Sequence, residues 1–363
     1  MAITAQHIQD ALQGVVDPNT GKDFVSTKCV KNLQVQDGDV SFDVELGYPA
    51  KSQIPGFRKA LIAAAKGVPG VENVSVNVTT KITSHAVQRG VQLLPSVKNI
   101  IAVASGKGGV GKSTTAVNLA LALAAEGANV GILDADIYGP SQPMMMGIEG
   151  RPESVDGQTM EPLENYGVQV ISIGFLIDKD EAMIWRGPMA TQALEQLLRQ
   201  TNWKDLDYLI VDMPPGTGDI QLTLSQRVPM TGAVIVTTPQ DIALLDARKG
   251  IKMFEKVGVP ILGIVENMAV HVCTNCGHVE HIFGADGGKK MAAEYGMDYL
   301  GALPLKMQIR EQADSGRPTV IADPDGEVAG LYKAVARQVA IKIAAKAKDF
   351  SSKFPTIKVS KDT

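Results

Sequence analysis

The sequence predicts an α/β fold in which a mainly parallel sheet is covered by helices on both faces, preceded by a small α+β domain. From about residue 98 onwards, short apolar runs alternate with helical patterns, the order that strand–helix–strand units produce. A glycine-rich turn at residues 106–111 joins one of these strands to a helix. The first 80 residues show a different order, in which a helix and a hairpin are followed by a second helix and a strand.

The small N-terminal domain is expected to span residues 1–82. Helices are predicted at Ile3–Val16 and Ile54–Lys66, and an alternating strand at Val71–Ile82. Between the helices, apolar residues alternate on both sides of Asp37 and Gly38, a pair that is typical of a hairpin with a type I′ turn. The other predicted segments are a linker at 83–97, the large α/β domain at 98–349 and a C-terminal tail at 350–363.

The large domain shows regular alternation of strand and helix patterns. After the strand and helix that flank the glycine-rich turn, the predicted strands are Ala128–Leu133, Val168–Ile173, Tyr208–Val211, Ala233–Thr237, Pro260–Val265 and Tyr299–Leu303. The predicted helices are Pro188–Gln200, Asp241–Val257, Gly287–Tyr295 and Glu327–Lys346. The segment 143–162 is rich in Pro, Gly and Met, which is typical of a surface segment.

The glycine-rich turn matches a phosphate-binding loop. Gly106, Gly111, Lys112 and Ser113 fit the pattern G-x-x-x-x-G-K-[ST]. Glycines let successive backbone N–H groups surround a phosphate, and the start of the following helix adds positive potential. We expect Lys112 to reach the β and γ phosphates and the Ser113 hydroxyl to bind Mg²⁺. The sequence therefore predicts a nucleoside triphosphate site at Gly106, Lys107, Gly108, Gly109, Val110, Gly111, Lys112, Ser113 and Thr114.

Aspartates follow two of the predicted strands. Asp212 ends an apolar strand, as a Walker B carboxylate does, and Asp134 and Asp136 end another. We expect Ser113, Asp134 and Asp212 to hold Mg²⁺, and Asp136 to orient the attacking water. Either aspartate of the second pair could instead cap a turn. Gly216 lies where a backbone N–H could contact the γ-phosphate.

A second lysine makes the loop more distinctive. Because Lys107 follows Gly106, the loop resembles the deviant Walker A motif of the MinD/ParA/nitrogenase-iron-protein class of ATPases. The resemblance implies that Lys107 acts on the nucleotide of a partner subunit, although a plain attraction for anions stays open. It also implies that Asn267, at the end of a predicted strand, reads adenine; the chain lacks the Asn-Lys-x-Asp pattern that recognises guanine. ATP is therefore the expected nucleotide.

The amino-acid composition argues against several classes of protein. A net charge of −4 and an aromatic content of 5% provide neither the basic surface nor the stacking residues that nucleic-acid binding needs. The three cysteines are too few for a disulfide scaffold, which favours a reducing compartment. The sequence shows neither a signal-peptide pattern at its start nor a stretch of about 18 apolar residues. We expect a cytoplasmic protein with no nucleic-acid partner and no stable membrane association.

Cys273 and Cys276 form a second candidate centre in a Gly- and His-rich loop. A [4Fe–4S] cluster takes four cysteines, of which this loop supplies two. A zinc ion could be held within one chain if His278 and His281 joined the two cysteines. A redox-active pair and two cysteines without a ligand are further interpretations. Cys29 stands alone beside the first hairpin.

Several motifs together resemble the Mrp/ApbC family of iron–sulfur cluster carrier ATPases. The similar segments are residues 107–114, 134–141, 185–189, 212–219, 265–268 and 273–284, within a likeness that spans about residues 98–345. The resemblance implies a homodimer that uses ATP and Mg²⁺, binds a labile [4Fe–4S] cluster at its interface and transfers it to apo iron–sulfur proteins. Residues 1–82 are similar to the small domain of such carriers, but Lys51 stands where relatives have a cysteine.

A different class of function remains open at this point. A MinD/ParA-like ATPase switch would dimerise on a membrane or on DNA and would use the Cys-x-x-Cys pair for a structural zinc. The basic C-terminal helix around Leu331–Lys346 suits a membrane surface, whereas its apolar positions suit packing against the sheet.

Overall fold

The computed structural model describes residues 3–88, 90–177 and 187–346. The predicted C-terminal tail and the first two residues of the similar segment 185–189 lie outside the described residues. The small domain contains helices α1 (Ala5–Gln13) and α2 (Ile54–Lys66) and strands β1 (Val16–Asp17), β2 (Lys22–Asp23), β3 (Val30–Gln36), β4 (Asp39–Leu46) and β5 (Asn73–Thr80).

The larger part of the chain contains ten further strands and nine further helices among the described residues. The strands are β6 (Val97–Ala104), β7 (Val130–Asp134), β8 (Leu163–Asn165), β9 (Val168–Ser172), β10 (Leu206–Asp212), β11 (Gly232–Thr237), β12 (Ile261–Glu266), β13 (His271–Val272), β14 (Val279–Glu280) and β15 (Tyr299–Ala302). The helices are α3 (Lys112–Ala125), α4 (Gln142–Met145), α5 (Gly187–Gln200), α6 (Asp219–Arg227), α7 (Asp241–Lys256), α8 (Gly287–Glu294), α9 (Met307–Asp314), α10 (Thr319–Ala322) and α11 (Glu327–Ala344).

The predicted α/β fold is confirmed by the central sheet. Its eight strands lie in the order β15-β12-β11-β6-β10-β7-β9-β8, and all neighbours are parallel except the antiparallel pair β8 and β9. Alternate residues of β6 enter two apolar cores: Ile101 and Val103 on one face, Ile100 and Ala102 on the other. Helices therefore cover both faces, as the continuous apolar strands predict.

The small domain follows the predicted order of elements, with two local differences. Asp37 and Gly38 both have positive φ (47° and 92°), and Gln36 pairs with Asp39, so the turn has the backbone that a type I′ hairpin requires. The first helix begins at a capping box between Thr4 and His7 and ends at Gln13, earlier than predicted, because Gly14 caps it. The linker is fixed to the large domain, since Gln88 donates to the carbonyl of Ser225.

Short helices were missed by the sequence analysis. The four-residue helices α4 and α10, together with α6 and α9, are too short to show a repeated apolar pattern in the sequence. Their positions depend on tertiary packing. The segment 143–162 is not purely a surface segment, because Met146 is fully buried. Among the described residues, no helix combines the length and apolar character needed to cross a bilayer.

The small domain docks onto the end of α3 through one buried carboxylate. Glu126, which follows α3, is 1% exposed. Its side chain accepts hydrogen bonds from Arg337 Nη1 at 2.6 Å, Ser52 Oγ at 2.7 Å and the Ser52 backbone N–H at 2.9 Å. Its carbonyl accepts one from the Lys51 N–H at 3.1 Å. The position of the missing cysteine, Lys51, therefore lies at the seam between the two parts of the chain.

This cluster predicts a large stability effect. Glu126→Ala leaves the Arg337 guanidinium buried without its carboxylate, and we expect a loss of about 3–5 kcal/mol in the free energy of unfolding. Ser52→Ala removes one bond to a charged group and should cost about 1.5–3 kcal/mol. Chemical denaturation measures both, with the exposed Glu255→Ala in α7 as control, expected to stay within about 0.5 kcal/mol of the parent. Equal stability of the Glu126 and Glu255 variants would contradict the role of the cluster.

Candidate functional site

The glycine-rich loop lies between β6 and α3 with the backbone that its sequence requires. Gly109 and Gly111 have φ of 82° and 80°, in the left-handed region that glycine adopts without strain. A Cβ on Gly106 would overlap the backbone of Asp246 and Ala247 in α7, so the loop packs directly against that helix. The glycines therefore serve both the turn and the close approach of α7.

Lys112 lies buried at the start of α3 and contacts the strand-end carboxylates. Its Nζ donates to Asp212 Oδ1 at 2.5 Å and to Ser113 Oγ at 3.0 Å. Asp136 Oδ2 lies 3.8 Å from the same ammonium group. The lysine predicted to hold phosphates thus neutralises part of the carboxylate cluster in this structure.

Asp134 and Asp212 are direct register neighbours on β7 and β10, and both are fully buried. Asp134 accepts hydrogen bonds from Ser172 Oγ at 3.0 Å and from the Gln142 backbone N–H at 3.1 Å. Burial, together with the charge of Asp212, raises the pKa of Asp134 to about 7. Burial also raises the pKa of Asp136. Three carboxyl groups surround one lysine, so when they ionise their charge exceeds that of the lysine, and a divalent cation would balance it.

Two residues of this cluster were missed by the sequence analysis. Ser172 ends β9 opposite Asp134, so the rule that located the aspartates at strand ends could also have located this serine. No local sequence pattern identified Gln142 as part of this cluster. Its Nε2 donates to Asp212 Oδ2 at 2.9 Å and to the Ser113 carbonyl at 3.2 Å, across 70 and 29 residues of sequence.

The other predicted contacts to the nucleotide lie around the same loop. The N–H of Gly216 donates to the Ser105 carbonyl at 3.0 Å, so in this structure it is engaged by the protein. The side chain of Lys107 is half-buried, and no described residue forms an ion pair with it. Asn267 Nδ2 donates to the Val110 carbonyl at 2.9 Å. The structure thus places Asn267 against the loop, and its reading of adenine stays a prediction.

Cys273 and Cys276 lie in the turn of a short hairpin formed by β13 and β14. The N–H of Cys273 donates to the His278 carbonyl at 2.9 Å, and the N–H of Gly277 donates to the Cys273 carbonyl at 2.8 Å. Backbone N–H groups of Cys276 and Asn275 point at the Cys273 sulfur and lower the pKa of its thiol. Cys273 is half-exposed and Cys276 is exposed, so both sulfurs are accessible.

The two histidines do not join these cysteines. His281 Nδ1 lies 3.0 Å from the Ala269 carbonyl. Within residues 3–88, 90–177 and 187–346, no group of three or more His, Cys, Asp or Glu side chains is placed to hold a metal ion. The geometry therefore does not favour the interpretation of zinc held by Cys273, Cys276, His278 and His281 of one chain.

Comparisons with known families agree with both halves of the chain. The family described as NUBPL iron-transfer P-loop NTPase matches residues 96–340. The family described as iron–sulfur cluster assembly protein matches residues 5–78. The first match covers the sheet, the phosphate loop and the cysteine hairpin.

Individual relatives carry related names. An iron–sulfur cluster carrier protein of Pseudomonas fragi is 61% identical over 275 residues, which are 75% of this chain and 96% of that protein. One of Escherichia coli is 50% identical over 327 residues, 90% of this chain and 89% of that protein. The mouse iron–sulfur cluster transfer protein NUBPL is 55% identical over 248 residues, 68% of this chain and 78% of that protein.

Solved structures show the same fold. A nucleotide-binding protein of Archaeoglobus fulgidus in complex with ADP is 37% identical, covers 64% of this chain and 90% of its own, and has a TM-score of 0.56. The cell division ATPase MinD of Pyrococcus furiosus, 22% identical over 66% of this chain and 98% of its own with a TM-score of 0.50, shares the fold. On its motifs, its fold and these relatives, the chain belongs to the family of NUBPL-type iron-transfer P-loop NTPases.

Proposed function

We propose that the chain is an ATP-hydrolysing carrier that binds a labile [4Fe–4S] cluster between two copies of itself and transfers the cluster to apo iron–sulfur proteins. The observation that carries the proposal is the pair of accessible thiols at Cys273 and Cys276, with no further ligand beside them in the described chain. The names of the relatives support the nature of the cargo.

Stoichiometry supports the second copy. A [4Fe–4S] cluster takes four thiolates, and one hairpin supplies two. A two-fold interface brings the same surface of each subunit together, so two hairpins on the axis offer four sulfurs around one site. Exposed apolar side chains flank the hairpin, with Val279 and Ile282 both 54% exposed, and such side chains favour contact with another protein surface.

The phosphate loop supplies the driving reaction. When a nucleotide enters, Lys112 must exchange its contact with Asp212 for one with the phosphates. Ser113, Asp134 and Asp212 would hold Mg²⁺, which would supply positive charge to the phosphates and to the leaving group. The buried carboxylates fit that assignment because they exceed the positive charge beside them. We assign the orientation of the attacking water to Asp136, whose carboxylate lies 3.8 Å from the Lys112 ammonium.

The dimer also gives Lys107 a role. Its ammonium has no ion-pair partner among the described residues and lies in the loop that surrounds the nucleotide. In the proposed dimer it reaches the phosphates of the partner subunit and stabilises charge in the transition state, as an arginine finger does in other phosphoryl-transfer enzymes. Nucleotide state would then govern how closely the subunits approach, and through that the retention of the shared cluster.

The C-terminal helix argues against the alternative of a membrane switch. Most apolar residues of α11 are buried in the core, with Val335 2% exposed and Val339 and Ile343 fully buried. Leu331 and Ile341 are partly buried and pack against that core. A helix whose apolar face packs on the sheet cannot also place that face in a lipid surface.

The cysteine pair predicts the metal content. Protein reconstituted without oxygen should hold about four irons per dimer and lose all of them in Cys273→Ala or Cys276→Ala. Cys29→Ala, a matched cysteine in the small domain, should keep them. Iron, zinc and sulfide assays with visible absorbance measure this. One colourless zinc per monomer that depends on His278 and His281 would overturn the carrier proposal.

The two lysines of the loop should separate binding from hydrolysis. Lys112→Ala leaves Asp134, Asp136 and Asp212 without their cation, so it should weaken ATP binding itself. Lys107→Gln should bind ATP almost as the parent does but lose about 10³-fold or more in hydrolysis, since its target is the partner's transition state. Calorimetric titration and phosphate release measure the two effects. An equal loss of ATP affinity in both variants would contradict a role in the partner subunit and would show that Lys107 only adds positive charge to its own loop.

Asn267 should set the choice of base. We expect the parent to prefer ATP over GTP by at least about tenfold, equivalent to about 1.4 kcal/mol. Asn267→Ala should weaken both nucleotides, because the bond to the Val110 carbonyl is lost, and should also abolish the preference. Titrations of the parent protein and of Asn267→Ala with ATP and with GTP test this. A parent that binds ATP and GTP equally would contradict the assignment.

A further inference from the structure

One buried glutamine ties together the three elements that meet at the proposed magnesium site. Gln142 is fully buried at the start of α4. Its Nε2 contacts both Asp212 Oδ2 at 2.9 Å and the Ser113 carbonyl at 3.2 Å, and its backbone N–H contacts Asp134 Oδ2 at 3.1 Å. A single residue thus fixes β10, the phosphate loop and β7 relative to one another.

The same side chain has an unused acceptor. Both hydrogens of Nε2 are directed at Asp212 and Ser113, which fixes the orientation of the amide. Gln142 Oε1 and the neighbouring Ser141 Oγ are buried and have no hydrogen-bond partner among the described residues. An unsatisfied buried acceptor costs about 1–3 kcal/mol, so a fully buried amide oxygen is normally paired with a donor.

The chemistry of Mg²⁺ supplies such a donor. Mg²⁺ loses its water reluctantly and keeps several bound waters in nucleotide sites. A metal-bound water offers its hydrogens and needs acceptors around it. The amide group whose nitrogen contacts Asp212 and the Ser113 carbonyl also carries an acceptor oxygen, which adds no negative charge to a cluster with three carboxyl groups.

We propose that Gln142 is a positioning residue for the magnesium–nucleotide complex. Its Oε1 accepts a hydrogen bond from a water bound to the metal, while Nε2 holds Asp212 and the loop at Ser113 in the geometry that binds the metal. This inference rests on the magnesium site of the proposed function, but it is independent of the cluster and of the dimer.

The test compares ATP affinity in the presence of Mg²⁺ with ATP affinity in EDTA. The ratio of the two dissociation constants isolates what the metal contributes. Gln142→Met keeps the size of the side chain but has no donor or strong acceptor, and it should reduce the ratio about tenfold while metal-free affinity stays near that of the parent. Gln142→Glu keeps an acceptor but loses the donor to Asp212 and to the Ser113 carbonyl, so its ratio should fall less than that of Gln142→Met.

Gln221→Met is the matched control. Gln221 is a second buried glutamine, in α6, and both of its amide atoms lack a partner among the described residues, but it makes no contact with the carboxylate cluster in that part of the structure. Its ratio should equal that of the parent. Circular dichroism verifies that each variant is folded.

The outcomes are distinct. An unchanged ratio in Gln142→Met, or an equal loss with and without Mg²⁺, would overturn the role of Gln142 and leave the magnesium site standing. A parent whose ATP affinity does not respond to Mg²⁺ would overturn both the magnesium site and this inference. Iron content measured on the same variants should not change, which separates failure here from failure of the carrier proposal.

Discussion

The contact between the Lys112 ammonium and the Asp212 carboxylate is the interaction around which the site is built. It joins the start of α3 to the end of β10, across 100 residues of sequence, in a place from which water is excluded. A buried carboxylate is costly without a counter-charge. With Asp134 adjacent on β7, one lysine does not balance the cluster, and a divalent cation is the addition that would. Nucleotide binding must therefore rearrange charge within a rigid frame.

Helix α3 connects the contact between Lys112 and Asp212 to the small domain. Helix α3 is buried on nearly all sides and runs from Lys112 to Ala125; Glu126, where the small domain docks, follows it directly. Apolar residues of the small domain share one core with α3 and α11, including Leu61, Leu121 and Val339. The phosphate loop and the small domain are thus joined by a single packed helix.

The cysteine hairpin differs from the carboxylate cluster in its exposure to solvent. It is a short turn in which backbone N–H groups, and not burial, lower the pKa of the Cys273 thiol. The hairpin presents two accessible thiols, whereas Lys112, Asp212 and Gln142 of the carboxylate cluster are buried and contact one another through hydrogen bonds to Asp212. The two centres share the carboxyl side of β12, since Asn267 contacts the loop and Cys273 lies a few residues further along the chain.

The class of fold, the phosphate loop, the strand-end aspartates and the type I′ hairpin could be predicted from local sequence, because each depends on spacing within a few residues or on the period of a strand. Which side chains contact one another could be seen only in the folded chain. Gln142 reaches Asp212, Glu126 binds Ser52 and Arg337, and Asn267 holds the Val110 carbonyl, through contacts between segments from 70 to 211 residues apart. No local pattern encodes such pairs, since they arise from how helices pack across the sheet. It was likewise the packed chain that kept His281 on a backbone carbonyl and left the two cysteines as an open pair.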